Sequence, residues 1–337
     1  MATANFAPSR ERRCSLLAKL ESTYATDPTP AAATDDLFTF DSPVALKAQS
    51  ERFDFRPHGN TFTRNRDIVA ARWYDINFKT VLQTSGANGT IAVNGFAGLD
   101  AALSASACTS TPTPAMTPTT IVYTPSTIAL LESATIWANQ DGFIYEANGA
   151  VLNCVMTGSP RGGVECAFKG MGLYVAPVAV GSTFANWTGG TPRFQPFLGV
   201  TATINNGASF TPVLRNFTFD MGNQLMRLEN GNDSTGIERF LVIDRDPKLT
   251  VVIAVDNYAS ANISHDEWYT DWLSSGPTFH EVDWTVSTTT NTIDFDFNTA
   301  QLIDPAITPG GGVRNFELGY KLQSTTVEGE WKITMGG

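Results

Sequence analysis

The chain has 337 residues, of which 42% are hydrophobic, so it is long enough for one large or two ordinary globular domains. Charged residues make up 16% of the chain and sum to −11, which argues against a protein that grips the phosphates of nucleic acid. No apolar run approaches the ~20 residues of a membrane helix. The first residues also lack the apolar core of a signal peptide. We therefore expect no membrane span and a product that stays in the cytoplasm until assembly.

Residues 1–36 predict an N-terminal arm followed by a linker. Apolar positions in residues 9–24 indicate a short amphipathic helix or arm, and the prolines and small residues of 26–36 indicate an extended connector. Such an arm reaches a neighbouring subunit or straps its own domain. The candidate inter-subunit contact residues of the arm are Phe6, Leu16, Leu17 and Leu20.

Residues 37–177 predict a first β domain. Strict alternation of apolar and polar residues over 71–83 is typical of a half-buried strand. The Ala-rich stretch 92–108 predicts one helix. Residues 109–120, rich in Thr and Pro, are expected to interrupt the regular structure.

Residues 133–177 predict antiparallel strands with the turns included. Asp141-Gly142 is a two-residue hairpin turn signal, and residues 158–163 (GSPRGG) form a looser one. Val164, Cys166 and Phe168 should point to one side of their strand, opposite Lys169. This region is therefore predicted to be a β-meander.

The Gly, Pro and Thr of residues 178–196 indicate a linker, and residues 197–337 predict a second β domain. Its pattern repeats that of the first: strands, a short helix over 265–276, then more strands. The predicted fold is therefore mainly β, with two tandem antiparallel β-sandwich or barrel domains, each with one short α-helix.

Few residues suggest chemistry. The three histidines lie outside any catalytic motif, and the four cysteines lack zinc-binding spacing. We therefore expect no cofactor or metal, and no enzymatic activity. Asp294 and Asp296 should emerge on one face of a strand about 7 Å apart, a spacing that suits a glycosidase pair, a cation site or simply a solvated strand.

Eight stretches stand out when they are taken in order along the chain: KLESTYATDPTPAAATDDLF, GLDAALSAS, YTPSTIALLESATIWANQDGFIYEANGAVLNCVMTG, CAFKGMGLYVAP, RNFTFDMGNQLMRLENG, IDRDP, FELGYKLQ and WKITM. Together they resemble the tail tube (major tail) proteins of long-tailed bacteriophages and prophages. The likeness covers most of the chain, although no single stretch is a catalytic-grade motif. It departs from the family pattern at Cys108 and in the loops 178–196 and 284–292.

The resemblance implies a structural protein of the virion tail that assembles in the host cytoplasm. Its subunits would form rings, and stacked rings would form a tube around an acidic channel through which DNA passes without specific binding. Two tube-like halves per chain suggest a trimer with pseudo-sixfold symmetry, and a hexamer is the alternative. The implied partners are the tape measure protein, the tail terminator and the tail-tip or baseplate proteins. Asp294 and Asp296 are the candidate acids facing the channel.

Two other functions fit a β-rich chain of this composition. A carbohydrate-binding, adhesin or tail-tip module of a virion would use an exposed aromatic platform, for which Trp268, Tyr269 and Trp272 are candidates. These residues equally suit packing of a helix on its sheet. A β-sandwich hydrolase would use paired carboxylates such as Asp294 and Asp296. Binding to glycans, or measurable turnover, would distinguish these functions from self-assembly.

Overall fold

The fold is mainly β, with two short helices among the described residues. A computed structural model describes residues 14–32, 34–40, 45–54, 67–82, 97–113, 120–128, 131–140, 142–160, 162–179, 196–205, 209–254, 265–276, 278–287, 292–310, 312–324 and 328–336. The helices are α1 (Ala97–Ser104) and α2 (His265–Trp272). The strands are β1 (Cys14–Leu20), β2 (Asp36–Leu37), β3 (Thr39–Phe40), β4 (Leu46–Phe53), β5 (Ile68–Val81), β6 (Cys108–Thr113), β7 (Thr120–Pro125), β8 (Ala134–Gln140), β9 (Phe143–Gly158), β10 (Val164–Tyr174), β11 (Val178–Ala179), β12 (Thr201–Asn205), β13 (Ser209–Phe210), β14 (Leu214–Asp220), β15 (Asn223–Glu229), β16 (Ile237–Arg245), β17 (Lys248–Ala254), β18 (Phe279–Ser287), β19 (Thr292–Gly310), β20 (Val313–Leu322) and β21 (Lys332–Gly336).

Eight strands form one continuous antiparallel layer through both halves of the chain. Their order in the described residues is β4–β5–β10–β9–β14–β17–β20–β19. Alternate side chains are buried on one side, as with Tyr74 and Phe78 in β5. We call the opposite side of this layer the open face; it carries residues such as Asn77 and Lys79, which are exposed.

A second layer packs on the buried side of the first. One part of it is the series β2–β1–β8 of the first half. The other part is the series β13–β12–β18–β19–β21–β7–β6, which contains strands of both halves. The long strands β9 and β19 belong to both layers, because their N-terminal parts pair with β8 and β18. The two layers are thus connected through two shared strands.

Aromatic side chains fill the space between the layers. The ring of Phe217 in β14 lies 4.5 Å from that of Trp284 in β18 and 5.2 Å from that of Phe295 in β19, centroid to centroid. Phe219 lies 5.2 Å from Phe297 in the same way. Burial of each such side chain contributes roughly 1.5–3 kcal/mol. One cluster of buried residues runs through both halves.

The strand pairings recur in the same order in the two halves. The series β1–β8–β9–β10–β5–β4 in the first half matches β12–β18–β19–β20–β17–β14 in the second. Matched elements also follow one another in the same order along the chain, with α1 and α2 in corresponding places. The first half adds β3, β6, β7 and β11, and the second adds β15, β16 and β21, while β2 and β13 pair with the matched strands β1 and β12. The predicted domain boundary at residues 178–196 stays a prediction. The hydrophobic core and both layers extend across this boundary.

The predicted β-meander is confirmed as β8, β9 and β10. Gly142 has a φ of 102°, as the predicted turn requires, while Asp141 lies outside the described residues. Val164, Cys166 and Phe168 are buried and Lys169 is exposed, as the alternation predicts. Both predicted helices are confirmed with shorter bounds.

Of the short helix and the arm that the sequence allows over residues 9–24, the helix is wrong over residues 14–20, and a role as an arm stays a prediction. Residues 14–20 form β1, which pairs with β8 along its whole length and with β2 at Leu16 and Leu17. The short apolar run of this segment fits a strand as well as a helix. The available edge of β8 decides for the strand, because all seven residues of β1 pair with it and the backbone groups of every second one are satisfied there.

The expected interruption over residues 109–120 is also wrong in part. Residues 108–113 form β6, which pairs with β7 and includes Pro112. Among the described residues β6 pairs on one side only, and such an edge strand accommodates a proline that cannot donate a hydrogen bond.

The hairpin β15–β16 folds back onto the open face of the first half. Ile237 and Phe240 of β16 are buried against Ala71 and Val151. The guanidinium of Arg227 lies 4.7 Å from the ring centroid of Trp73. The hairpin therefore covers one end of the open face.

Replacing Gly222 with alanine should destabilise the protein by more than about 1 kcal/mol. Gly222 lies between β14 and β15 with a φ of +67°, and an added Cβ would come within 2.1 Å of the Asp246 carbonyl oxygen. Chemical denaturation measures the loss. Gly231→Ala is the matched control, because an added Cβ there meets no atom within 4 Å; equal stability of the two variants would contradict the prediction.

Candidate subunit interface

Within the eight-stranded layer the two halves are joined by a short antiparallel pairing, which we call the internal joint; in the second layer they are joined by β21 and β7. The internal joint links the C-terminal end of β9 to β14 through four residue pairs, from Gly158 with Phe217 to Val155 with Asp220. An added Cβ at Gly158 would come within 2.3 Å of the Phe217 ring. The absence of a side chain at Gly158 therefore allows Phe217 to reach the core.

Polar side chains reinforce the internal joint. The Asp220 carboxylate accepts hydrogen bonds from Nδ2 of Asn153 and from the backbone N–H of Gly222, both at 2.9 Å. Oδ1 of Asn153 accepts the backbone N–H of Asn223 at 3.0 Å. Nδ2 of Asn223 donates to the carbonyl of Ser106 at 2.7 Å, at the end of α1. These contacts fix β14 to the first half beyond the four backbone pairs.

The eight-stranded layer ends in two edges. In the described part of the chain, β4 pairs only with β5, and residues 304–310 of β19 pair only with β20. An open edge presents unpaired backbone groups that readily pair with another chain. Exposed apolar residues lie at and beside the β19 edge, among them Leu273, Phe279, Ile303 and Ile307.

Asp294 and Asp296 lie side by side on β19, in the second layer, and point away from the core. Asp296 forms an ion pair with Lys332 of β21 and lies opposite Asp283 of β18. Burial, and then the nearby carboxylates of Glu281 and Asp296, raise the pKa of Asp283 to about 6. The place of Asp294 and Asp296 relative to a channel depends on assembly and stays a prediction.

The arm residues that the structure describes pack within their own chain. Leu16 and Leu17 are buried and Leu20 is partly buried beside the core. Just after β1, the Glu21 carboxylate accepts hydrogen bonds from Ser133, Thr135 and the backbone of Gly149. Phe6 lies outside the described residues, and contact of the arm with a neighbour stays a prediction.

The second helix is held to the sheet by a buried histidine. Nε2 of His280 lies 3.1 Å from a carboxylate oxygen of Asp271 in α2, and Nδ1 lies 3.3 Å from the hydroxyl of Tyr320 in β20. Trp268 is buried edge-on against His280, as packing of the helix on its sheet predicts, whereas Trp272 is 43% exposed. The described residues contain no group of three or more His, Cys, Asp or Glu suited to a metal ion.

Sequence reasoning did not single out the residues of the internal joint. Asp220, Gly222 and Asn223 belong to the stretch FTFDMGNQL, where the turn residues after an alternating strand do indicate a turn. Their partners Asn153 and Ser106 lie in other elements far along the chain. No local pattern gives that pairing.

Comparison with family models and with curated proteins finds no match for this chain. Within its described part, neither helix is long and apolar enough to cross a membrane.

Replacing Asp283 with asparagine should alter how stability depends on pH. A carboxyl whose pKa is raised by folding binds its proton more tightly in the folded state, so its contribution is favourable below the ordinary pKa of about 4 and is lost as pH rises through about 6. The free energy of unfolding of the wild type, relative to Asp283→Asn, should therefore fall across that interval. Urea denaturation at several pH values measures it; parallel curves would contradict the assignment.

Proposed function

We propose that this chain is a structural subunit that associates head to tail into rings, and that stacked rings form a tube through which DNA passes. The observation that carries this proposal is the recurrence of strand order together with the internal joint. In the matched order, β9 corresponds to β19 and β14 corresponds to β4. The joint therefore pairs the counterparts of the two strands that stand at the open edges.

A second copy can repeat the internal joint between chains. Its β4 edge would meet the β19 edge of the first copy, as β14 meets β9 within one chain. Such a contact uses different surfaces on the two partners, so repetition gives either a closed ring or an open filament. Closure would also remove both open edges, which are otherwise prone to aggregation.

Three chains are the proposed content of a ring. Each chain supplies two matched halves, so three chains give six similar units and pseudo-sixfold symmetry. Three layers of eight strands would close a barrel of 24 strands. Barrels of 16–18 strands already leave an aqueous channel, so this one would enclose a wide one.

The open face is the proposed lining of the channel, since it belongs to the layer that would be continuous around the ring. Lysines and acids both occur on it in the described residues, as with Lys169, Asp220, Lys248 and Glu317. A face of mixed charge on an acidic protein does not retain phosphates as a basic one would. This arrangement would place Asp294 and Asp296 on the outer side of the tube, instead of in the acidic lining expected from the sequence.

The proposed role matches that of the tail tube proteins of long-tailed bacteriophages, which the sequence resembles. The proposed location is therefore the virion tail, with assembly in the host cytoplasm. The proposed partners besides further copies are the tape measure protein, the tail terminator and the tail-tip or baseplate proteins. The N-terminal arm is a candidate for contacts between rings.

Purified protein at rising concentration should form hollow rings or stacked tubes in negative-stain electron microscopy. The mass of an isolated ring, measured by native mass spectrometry, should be three times 36.3 kDa. A ring of six chains would refute the trimer but not the tube. Protein that stays monomeric at every concentration and binds glycans would instead favour the carbohydrate-binding alternative, one of whose candidate aromatic residues, Trp272, is half-exposed.

Labelling of single cysteines should show which layer faces the channel. We expect Thr250→Cys, on the open face, to be protected in tubes from a maleimide carried on a polymer too wide to enter them. Thr285→Cys, beside Asp294 on the second layer, should stay reactive. Both variants are made with Cys14→Ser, which removes the exposed thiol, and both should react as dissociated subunits. The reverse pattern would place Asp294 and Asp296 in the channel.

A further inference from the structure

A shared irregularity fixes how the two halves align. The pairing of β8 with β9 shifts register by skipping one residue of β8 and two of β9, and the pairing of β18 with β19 shifts in the same way. Such a bulge pins the register of a strand pair, so the halves can be matched residue by residue from it. The flanking pairs are Ala134 with Ala150 and Ile136 with Ala147 in the first half, and His280 with Ala300 and Val282 with Phe297 in the second.

This alignment extends to the internal joint and to the open edges. We count residues outward from the bulge, from β9 across β10 and β5 to β4 in the first half, and from β19 across β20 and β17 to β14 in the second. Each residue of the internal joint then has a counterpart at one of the two open edges. One additional residue in β19, Ile303, sits at a register shift between Leu302 and Asp304. The counterparts are Asp304 for Asn153, Ala306 for Val155, Ile307 for Met156, Leu46 for Phe219 and Lys47 for Asp220.

Residues at and beside the β19 edge are less buried than their counterparts in the first half, as expected where a packing partner is missing. Met156 is fully buried under the internal joint, opposite Phe219, whereas its counterpart Ile307 is 44% exposed. At the helices, Ala105 just after α1 is fully buried, and Leu273 at the corresponding place after α2 is 71% exposed. The β19 edge thus leaves apolar surface uncovered where the first half has its own second half.

Charge also differs between counterparts, and in a complementary sense. At the internal joint Asn153 donates a hydrogen bond to Asp220 across the pairing, at 2.9 Å. The counterparts are an acid and a base, Asp304 and Lys47, and both are exposed. The amide–carboxylate contact of Asn153 with Asp220 lies within the chain. The corresponding carboxylate of Asp304 and ammonium of Lys47 lie on two different edges, which do not pair with each other in the described part of one chain.

We infer that the β19 edge takes the β4 edge of a second copy in this register, with Leu46 opposite Ile307 and Lys47 diagonally facing Asp304. The inference rests on the proposed head-to-tail assembly and specifies its contact. Backbone hydrogen bonds between the edges supply affinity. The ion pair between Lys47 and Asp304 mainly determines the register and the choice of partner. An exposed ion pair contributes little to affinity, whereas two like charges at this contact would repel each other.

Charge exchange tests the inference in the full-length protein. Lys47→Glu and Asp304→Lys should each raise the concentration needed for ring formation at least about tenfold, the equivalent of ~1.4 kcal/mol. The double variant, with both charges exchanged, should assemble within about threefold of the wild-type concentration. Light scattering and electron microscopy give that concentration, and thermal unfolding confirms that each subunit is folded.

Lys169→Glu is the matched control, because it makes the same charge change on the open face away from both edges. It should assemble as the wild type does. Wild-type assembly with single variants that are unaffected, or with a double variant that is not restored, would overturn this contact and leave the tube proposal standing. Wild-type protein that never assembles would overturn both.

Discussion

The continuity of the eight-stranded layer depends on one short pairing between the end of β9 and β14. Four backbone pairs would be a weak connection alone, but Asp220, Asn153 and Asn223 extend it with side-chain hydrogen bonds to backbone and to one another. Phe217 and Phe219, on the core side of the same strand, pack against aromatic rings of the second layer. Within this layer, β14 therefore contributes both to the continuity of the sheet and to the continuity of the core between the halves.

Two long strands make this arrangement possible. β9 and β19 each pair with one layer along their N-terminal part and with the other along their C-terminal part. Because β9 leaves β8 before it reaches Gly158, its last residues are free to accept β14. β19 leaves β18 in the same way, and among the described residues its last residues pair with β20 alone. The open edge is thus a consequence of the recurrent topology rather than a local irregularity, and this is the physical basis of the proposed ring.

The sequence predicts local structure here better than long-range pairing. Alternation and turn residues give the meander and most strands of the second half, and the Ala-rich and Trp-rich stretches give both helices. The segment around Leu16 was mispredicted, because a run of three core-facing residues suits either helix or strand until its partner β8 is known. β6 was not predicted, because its Thr and Pro residues are typical of loops. The internal joint could not be predicted, because its hydrogen bonds connect residues that share no local sequence pattern. The prediction that Asp294 and Asp296 face the channel used only their position on the same face of one strand.

The most direct test of head-to-tail closure is disulfide trapping between copies. Lys47→Cys and Ala306→Cys, combined with Cys14→Ser, place two thiols at directly opposed counterparts of Asp220 and Val155. After assembly and mild oxidation, non-reducing gels should show a ladder of linked chains that ends at three. Absence of linked chains in assembled rings would contradict the proposed contact, and a ladder that continues without limit would contradict closure.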